Sequence, residues 1–419
     1  MTTMDQKLFK QMKNEWRSNL WLALELLIVS VVMWYIVDYL YAELRVYSEP
    51  LGFDVEHCYK IEVSDLNEKS PDFIADVSDD DYQKWIDALE DRLRNRPEIE
   101  AVGRGQNSHP YQGSNSTTWL KYDTIETSGY IVFRSVTPDY TKVFRYTGAN
   151  GETPEELTEI LDKGEILISD NLFSMDERNK NVKPADLVGK NVYLNWDTTR
   201  TYTVGAVLKP VKYADFMQGQ MNRTIVIPER ALNYGTNEWV VRVKDNMDKD
   251  FEKNLRADID RQFRVGNKYI SNIRPFSEIR RNFLTEERNT IRNMLTGMGF
   301  LLLNIFLGLL GTFWFRTQQR TRDIAVRKVS GATSGDIFRL MTGEGLLLLT
   351  VVTPIAFAID MNVAHFELNS YYGGYFEWAR MLICVAVTYI IMAVMISVGI
   401  AIPAYRAMHI TPATALRDE

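Results

Sequence analysis

The chain has 419 residues, a mildly acidic formal net charge of −7 and two cysteines, Cys58 and Cys384. The negative charge is concentrated between Glu43 and Thr285, where 33 Lys and Arg face 41 Asp and Glu, so the remainder sums to about +1. This distribution argues against a nucleic-acid-binding protein, because phosphate binding requires a basic face. Two distant cysteines, one of them in an apolar run, argue against a disulfide framework.

The first 19 residues have the pattern of a cytoplasmic amphipathic helix. Phe9, Met12 and Trp16 recur on one helical face, and the basic residues occupy the other positions. These basic residues are Lys7, Lys10, Lys13 and Arg17. The sequence therefore predicts an interfacial helix over 1–19, directly before the first apolar run.

Four apolar runs are each long enough to cross the ~30 Å hydrocarbon core of a bilayer, which takes roughly 20 helical residues. The predicted spans cover 20–41, 294–315, 341–359 and 381–404. Glu25 and Asp38 in the first span and Glu344 in the third lie close to a span end, where a carboxylate can stay hydrated. We therefore interpret all three as hydrated at the interface, and any further role stays open.

The short loops predict the orientation, because Lys and Arg are enriched on the cytoplasmic side of a membrane. The loop over 316–340 is strongly basic, whereas the loop over 360–380 carries three carboxylates and one arginine, Arg380. We therefore expect both termini, the 316–340 loop and the tail over 405–419 to face the cytoplasm. Residues 42–292 are expected to face outward.

The outward segment predicts an α+β domain. Apolar and polar residues alternate over 57–64, as in a strand, and residues 239–243 form another predicted strand, whereas residues 251–263 follow helical spacing. The predicted parts are an α+β lobe over about 50–148 and 236–276, a mainly β insertion over about 150–235, and a stalk helix over 277–293. The four scattered histidines and the lack of a Gly-x-Ser-x-Gly sequence predict no catalytic, cofactor or metal site.

The loop over 316–340 is the most informative segment. Ile324, Arg327, Lys328 and Gly331 follow helical spacing, and Gly331-Ala332 then breaks the pattern. A loop that only held the topology would need charge alone. The added apolar pattern favours a short helix with a specific contact.

This loop and the tail resemble the signature of FtsX-like ABC permeases, including the MacB type. The loop shows the Arg-rich run, the acidic-Ile pair Asp323-Ile324 (where Glu is commoner), an arginine, Gly-Ala and a following isoleucine. The tail matches over Pro403-Ala404-Tyr405-Arg406-Ala407 and Pro412-Ala413-Thr414-Ala415-Leu416-Arg417. The layout matches along the whole chain: one span, a large outer domain, three spans and a basic tail.

The resemblance implies a membrane protein with four transmembrane helices and a MacB-like periplasmic domain between helices 1 and 2, in a bacterial inner membrane. It implies a non-catalytic permease whose ATP and Mg²⁺ sit on a separate ABC ATPase. The sequence agrees, since it has no Gly-x-x-x-x-Gly-Lys-Ser/Thr phosphate loop. The implied ATPase-coupling residues are Arg320, Arg322, Asp323, Ile324, Arg327, Lys328, Gly331, Ala332 and Ile337.

The other expected partners are membrane lipid, a second permease copy (identical or related) and an extracytoplasmic protein. Gly297, Gly308 and Gly311 in the second span would permit close helix contact in a dimer, or equally packing within one subunit. Export of a peptide or drug, lipoprotein extraction and control of an outer partner all stay open. A membrane-anchored sensor or binding module without an ATPase is the alternative function.

Overall fold

The computed structural model describes residues 16–129, 131–176, 178–195, 197–217, 219–228, 238–319, 321–369 and 376–408. The interfacial helix predicted before residue 16, Arg320 and the tail beyond Met408 lie outside these residues. The chain forms two compact units. The outer unit is Val46–Glu287, and the membrane unit holds the described residues up to Arg45 and from Arg288 onward.

Ten α-helices are described, and four of them are long. The helices are α1 Trp16–Ser48, α2 Asp79–Arg94, α3 Tyr140–Val143, α4 Pro154–Asp162, α5 Phe251–Gln262, α6 Phe276–Phe283, α7 Thr285–Gln319, α8 Thr321–Val329, α9 Ser334–His365 and α10 Trp378–Met408.

The described strands are mostly short. They are β1 Cys58–Asp65, β2 Ile99–Gln106, β3 Ser116–Thr118, β4 Leu120–Tyr122, β5 Ile125–Glu126, β6 Ile131–Val136, β7 Ile166–Ser169, β8 Asn191–Leu194, β9 Asp197–Leu208, β10 Thr224–Pro228, β11 Glu238–Val243, β12 Arg264–Val265 and β13 Lys268–Pro275.

Helices α1, α7, α9 and α10 are long and apolar enough to cross a membrane, which confirms the four predicted spans. Each helix continues beyond the apolar run that predicted it; α1, for example, runs on to Ser48. Their buried apolar side chains form one core, which includes Leu26 and Trp34 of α1, Leu349 of α9 and Met392 of α10.

The outer unit is built on one mixed sheet. Its strand order among the described residues is β12-β13-β1-β11-β2-β6-β10-β7-β9-β8-β4-β5, with β3 paired to β6. The pairs β6–β10 and β7–β9 are parallel, and the others are antiparallel. The sheet places the predicted strands in a single layer.

Both faces of the sheet are covered by helices. Successive side chains of a strand point to opposite faces, so neighbouring residues of one strand pack into different cores. Along β11, Trp239 and Val241 join the core that contains Leu89 of α2 and Leu255 of α5. Val240, between them, joins a second core with α3, α4 and α6. This burial on both faces explains why Trp239, Val240 and Val241 are all apolar.

The structure differs from the predicted division into lobe and insertion. The sheet continues across that boundary, since β6 of the predicted lobe pairs in parallel with β10 of the predicted insertion. The insertion also contains a helix that the sequence analysis missed, α4. Thr153 and Glu156 form a capping box at its start, and Pro154 takes its first turn.

His109 is a buried, neutral histidine of the outer unit and makes its stability depend on pH. Burial lowers its pKa from 6.5 to about 4. The unfolded chain therefore takes up this proton as the pH falls below about 6.5, whereas the folded unit resists it until about pH 4. The contribution of neutral His109 to stability is therefore complete above pH 6.5 and is lost as the pH falls towards about 4.

Between pH 6.5 and 4 we expect the free energy of unfolding of the outer unit to fall by about 3 kcal/mol, at about 1.4 kcal/mol per pKa unit. Hydrogen exchange of the β2 and β11 amides in the full chain measures it. His109→Gln should flatten this part of the pH dependence. Val132→Ala, at a buried apolar residue of the same sheet, is the matched control, because it should lower the stability without changing its dependence on pH.

Candidate coupling helix and stalk attachments

Helix α8 ends in a motif that requires glycine. Gly331 has φ +95°, in the left-handed region. The Gly331 N–H donates to the Lys328 carbonyl (3.0 Å) and the Ala332 N–H to the Arg327 carbonyl (2.9 Å). This pair of bonds is a Schellman motif, which satisfies the last carbonyls of a helix and favours Gly at the left-handed position. The predicted break at Gly331-Ala332 therefore lies between two helices.

The next helix begins two residues later. Thr333 caps α9: its hydroxyl accepts the Asp336 N–H (3.3 Å), and the Asp336 carboxylate accepts the Thr333 N–H (2.9 Å). This capping box satisfies backbone groups at the helix start. With the Schellman motif it fixes the turn between α8 and the span that follows.

Helix α8 has a buried side and an exposed side. Ile324 is buried in the membrane-unit core together with Ile337 of α9. Val326 and Val329 are 53% and 67% exposed, and Arg327 is exposed beside them. The helix is therefore packed on the bundle through one side, while the other presents two apolar side chains and a cation.

The other predicted coupling residues are spread around this turn. Arg322 and Asp323 lie in the first turn of α8, and Lys328 is half-buried in its last turn. Ala332 lies in the turn itself. Sequence reasoning gave neither Val326 nor Val329 a role of its own. They are distinguished by their exposure on a helix whose Ile324 is packed in the core.

The outer unit holds the end of α1 through Lys212, in the loop after β9. The Lys212 ammonium is buried and donates to the Val46 carbonyl (2.5 Å), and it lies 3.2 Å from the Glu49 carboxylate. Its backbone N–H donates to the Leu51 carbonyl (2.9 Å). Burial lowers the pKa of Lys212, and Glu49 opposes this shift. A cation at a helix C-terminus is favourable, so Lys212 secures the last turn of α1.

The same loop holds α6 through Asp215. This buried carboxylate pairs with the Arg280 guanidinium and accepts the Tyr111 hydroxyl (2.8 Å). Burial raises the pKa of Tyr111, and the negative charge of Asp215 raises it further, so the Tyr111 hydroxyl remains a donor. The neighbouring Phe216 stacks on Tyr47 with ring centroids 5.3 Å apart. One loop, 209–217, thus contacts both segments that continue into the membrane unit.

Two family models match the chain. The MacB-like periplasmic core domain matches residues 54–258, and the FtsX-like permease C-terminal domain matches residues 295–412. The chain belongs to the FtsX-like permeases with a MacB-like periplasmic domain. Permeases of this family are generally non-catalytic subunits of ABC transporters. The resemblance seen in the loop and tail is thereby confirmed.

Two solved structures similar to the permease are both outer domains. The periplasmic region of MacB from Actinobacillus actinomycetemcomitans is 12% identical, with a TM-score of 0.29, over 57% of this chain and 98% of that one. The extracellular domain of the noncanonic ABC-type transporter YknZ from Gram-positive bacteria is 14% identical, with a TM-score of 0.27, over 51% and 100%. No curated protein matched. The assignment depends on the family models.

The three glycines of the permease's second span differ in their surroundings. A Cβ at Gly308 would lie 2.7 Å from a Glu25 carboxylate oxygen, so Gly308 packs against α1 within the chain. No described atom lies within 4 Å of a Cβ built at Gly297 or Gly311. The structure thus favours packing within one subunit for Gly308 and leaves Gly297 and Gly311 open.

The hydration interpretation is wrong for Asp38. Asp38 is 1% exposed, and its carboxylate accepts Arg380 Nε (2.7 Å), Arg380 Nη2 (2.5 Å) and Asn369 Nδ2 (2.8 Å). A buried carboxylate needs such partners, because an unpaired charge in hydrocarbon is costly. Glu344 is also buried rather than hydrated at an edge. In the permease, Asp38 therefore ties α1 to α10.

Proposed function

We propose that this permease transmits conformational change, driven by ATP on a separate ABC ATPase, to its outer domain for export or mechanotransmission. The observation that carries the proposal is the exposed side of α8, formed by Val326, Arg327 and Val329 on a helix that packs against the bundle through Ile324. Apolar side chains can insert into a groove of a partner, and the cation can meet a carboxylate there. The chain itself lacks a phosphate loop.

The packing of α8 supports a route for the motion. Ile324 shares a core with Ile337 of α9, so a displacement of α8 moves the span that it precedes. On the outer side, the loop over 209–217 holds the end of α1 and α6. Force that arrives along either segment reaches the sheet, because β9 leads directly into this loop.

The decisive test is reconstitution. Permease purified to homogeneity should show no ATP hydrolysis, and hydrolysis should appear with an ABC ATPase subunit recovered by gentle detergent pull-down. The physical reason is that only the partner provides the backbone cradle and lysine that bind nucleotide phosphates. Hydrolysis by the permease alone, or failure to recover any P-loop subunit, would count against the proposal.

We also propose that both termini and α8 face the cytoplasm and that the outer unit is periplasmic. A cysteine at Ser334, an exposed residue, should react with an impermeant thiol reagent only after the membrane is opened. A cysteine at exposed Glu68 of the outer unit should react in spheroplasts. Cys58 should stay unlabelled, because it is buried and burial raises its pKa to about 12. Labelling at position 334 in intact spheroplasts contradicts this orientation.

A second permease copy, identical or related, is part of the proposal. Only 11% of the apolar segment of α7 is buried within the chain, compared with 44% for α1. Gly297 and Gly311 lie on this helix with open space at their Cβ positions. Small residues allow helix backbones to approach closely in a membrane. These features support α7 as the contact with that copy.

A further inference from the structure

A small cavity lies among three helices of the membrane unit. It is lined by Ser30 and Trp34 of α1, by Val385, Thr388 and Tyr389 of α10, and by the α9 residues Leu349, Thr353, Ala356, Phe357 and Asp360. It leaves about 20 Å³ in which the centre of a water molecule can lie. Since one water needs roughly 10–15 Å³ by this measure, one or two waters fit.

Four polar atoms of the lining are buried and, among the described residues, lack any hydrogen-bond partner. They are Ser30 Oγ, Trp34 Nε1, Asp360 Oδ1 and Thr388 Oγ1. Buried polar atoms in folded proteins are almost always paired with protein or with ordered water. The four atoms have almost no exposed surface, so a partner has to lie inside the cavity. Four such atoms around one cavity point to a shared partner.

The helix that contributes half of the lining, α9, lacks one backbone hydrogen bond at this level. Pro354 lies inside α9 and lacks an N–H, so it cannot donate to the Thr350 carbonyl as a normal helical residue would. The Thr350 hydroxyl meets the Tyr389 hydroxyl at 2.9 Å, a polar link between α9 and α10. By contrast, the Thr353 hydroxyl already donates to the Leu349 carbonyl (2.7 Å). Polar groups without a partner therefore lie close to a position where α9 lacks a backbone donor.

We propose that this cavity is a buried water site, where one or two waters bridge Asp360 to Ser30, Trp34 and Thr388. The donors and acceptors match water. The Trp34 indole N–H can only donate, the Asp360 carboxylate can accept, and the hydroxyls can do either. A water accepts from Trp34 and donates to Asp360, which no metal cation can do, since the indole hydrogen would point at it. The site goes beyond the proposed function, because it concerns how three spans are joined.

The test compares two threonines that line the same cavity. The protein is the full chain reconstituted in nanodiscs. Thr388→Val keeps the shape of the side chain but removes the hydroxyl that would hydrogen-bond to the water. We expect it to lower Tm by about 2–4 °C, the effect of one lost hydrogen bond. Thr353→Val, whose hydroxyl is already used, should stay within about 1 °C. An unchanged or higher Tm for Thr388→Val would mean a dry cavity and overturns the proposal, as does an equal fall in both variants.

A direct measurement complements the variants. A high-resolution structure of the full permease should show one or two density peaks within 3.2 Å of Asp360 Oδ1 and Trp34 Nε1, in the range of ordinary hydrogen bonds. Tm should be the same in sodium, potassium and choline buffers. A sodium-specific rise in Tm that Thr388→Val removes would identify a cation site instead, and an empty cavity in the density would refute the water site.

Discussion

Replacing Val326 with proline is expected to abolish binding of the ABC ATPase while the permease still inserts and folds. Proline inside a helix costs about 3 kcal/mol and removes a backbone donor, so the exposed side of α8 would lose its geometry. The spans keep their hydrophobicity and should insert normally. The measurements are permease abundance in membranes, pull-down of the ATPase, and stimulation of its hydrolysis by the permease.

Two further variants separate helix geometry from side-chain contact. Val326→Ala preserves the helix and trims one exposed side chain, so it should weaken binding without abolishing it. Arg327→Glu should give a partial defect that grows smaller as salt is raised, since exposed ion pairs are weak and screened. If the proline variant binds and stimulates the ATPase normally, α8 is not the coupling element.

The sequence predicted the elements whose pattern extends over many residues. The four spans are apolar over roughly 20 residues each, which few other structures require. The strands β1 and β11 were predicted because a buried sheet requires apolar residues, and these residues are visible in the sequence. The break at Gly331 was predicted because Gly and Ala follow a helical pattern, and the structure places Gly331 at φ +95°.

Contacts between distant residues were beyond such patterns. Lys212 reaches a carbonyl 166 residues away, and its loop has no periodicity that would reveal burial. Asp38 and Arg380 are 342 residues apart, so each looked like a separate interfacial charge. A buried ion pair is visible only when the tertiary structure brings its members together. Helix α4 is a different case, because Thr153-Pro154-Glu155-Glu156 is a start signal that the sequence does contain.

Replacing Asp215 with alanine is expected to detach α6 from the outer unit and to destabilise that unit by about 2–4 kcal/mol. The buried Tyr111 hydroxyl would lose its acceptor, which costs about 1–3 kcal/mol. Arg280 would lose its partner as well. Loss of one member of a fully buried pair costs about 3–5 kcal/mol, but the Arg280 side chain is 34% exposed, so its share is smaller.

The design of this experiment isolates the attachment from general damage. Arg281→Ala, at the exposed neighbouring residue with no ion pair among the described residues, should change stability by at most about 0.5 kcal/mol. A double-mutant cycle of Asp215→Ala with Arg280→Ala then gives the coupling energy of the pair. Hydrogen exchange of the α6 amides should accelerate in the Asp215 variant, while the ATPase still binds at α8. Unchanged exchange in α6, or a cycle with no coupling, would show that Asp215 does not hold this helix, and the outer attachment would then depend on Lys212 and the Tyr47–Phe216 stack.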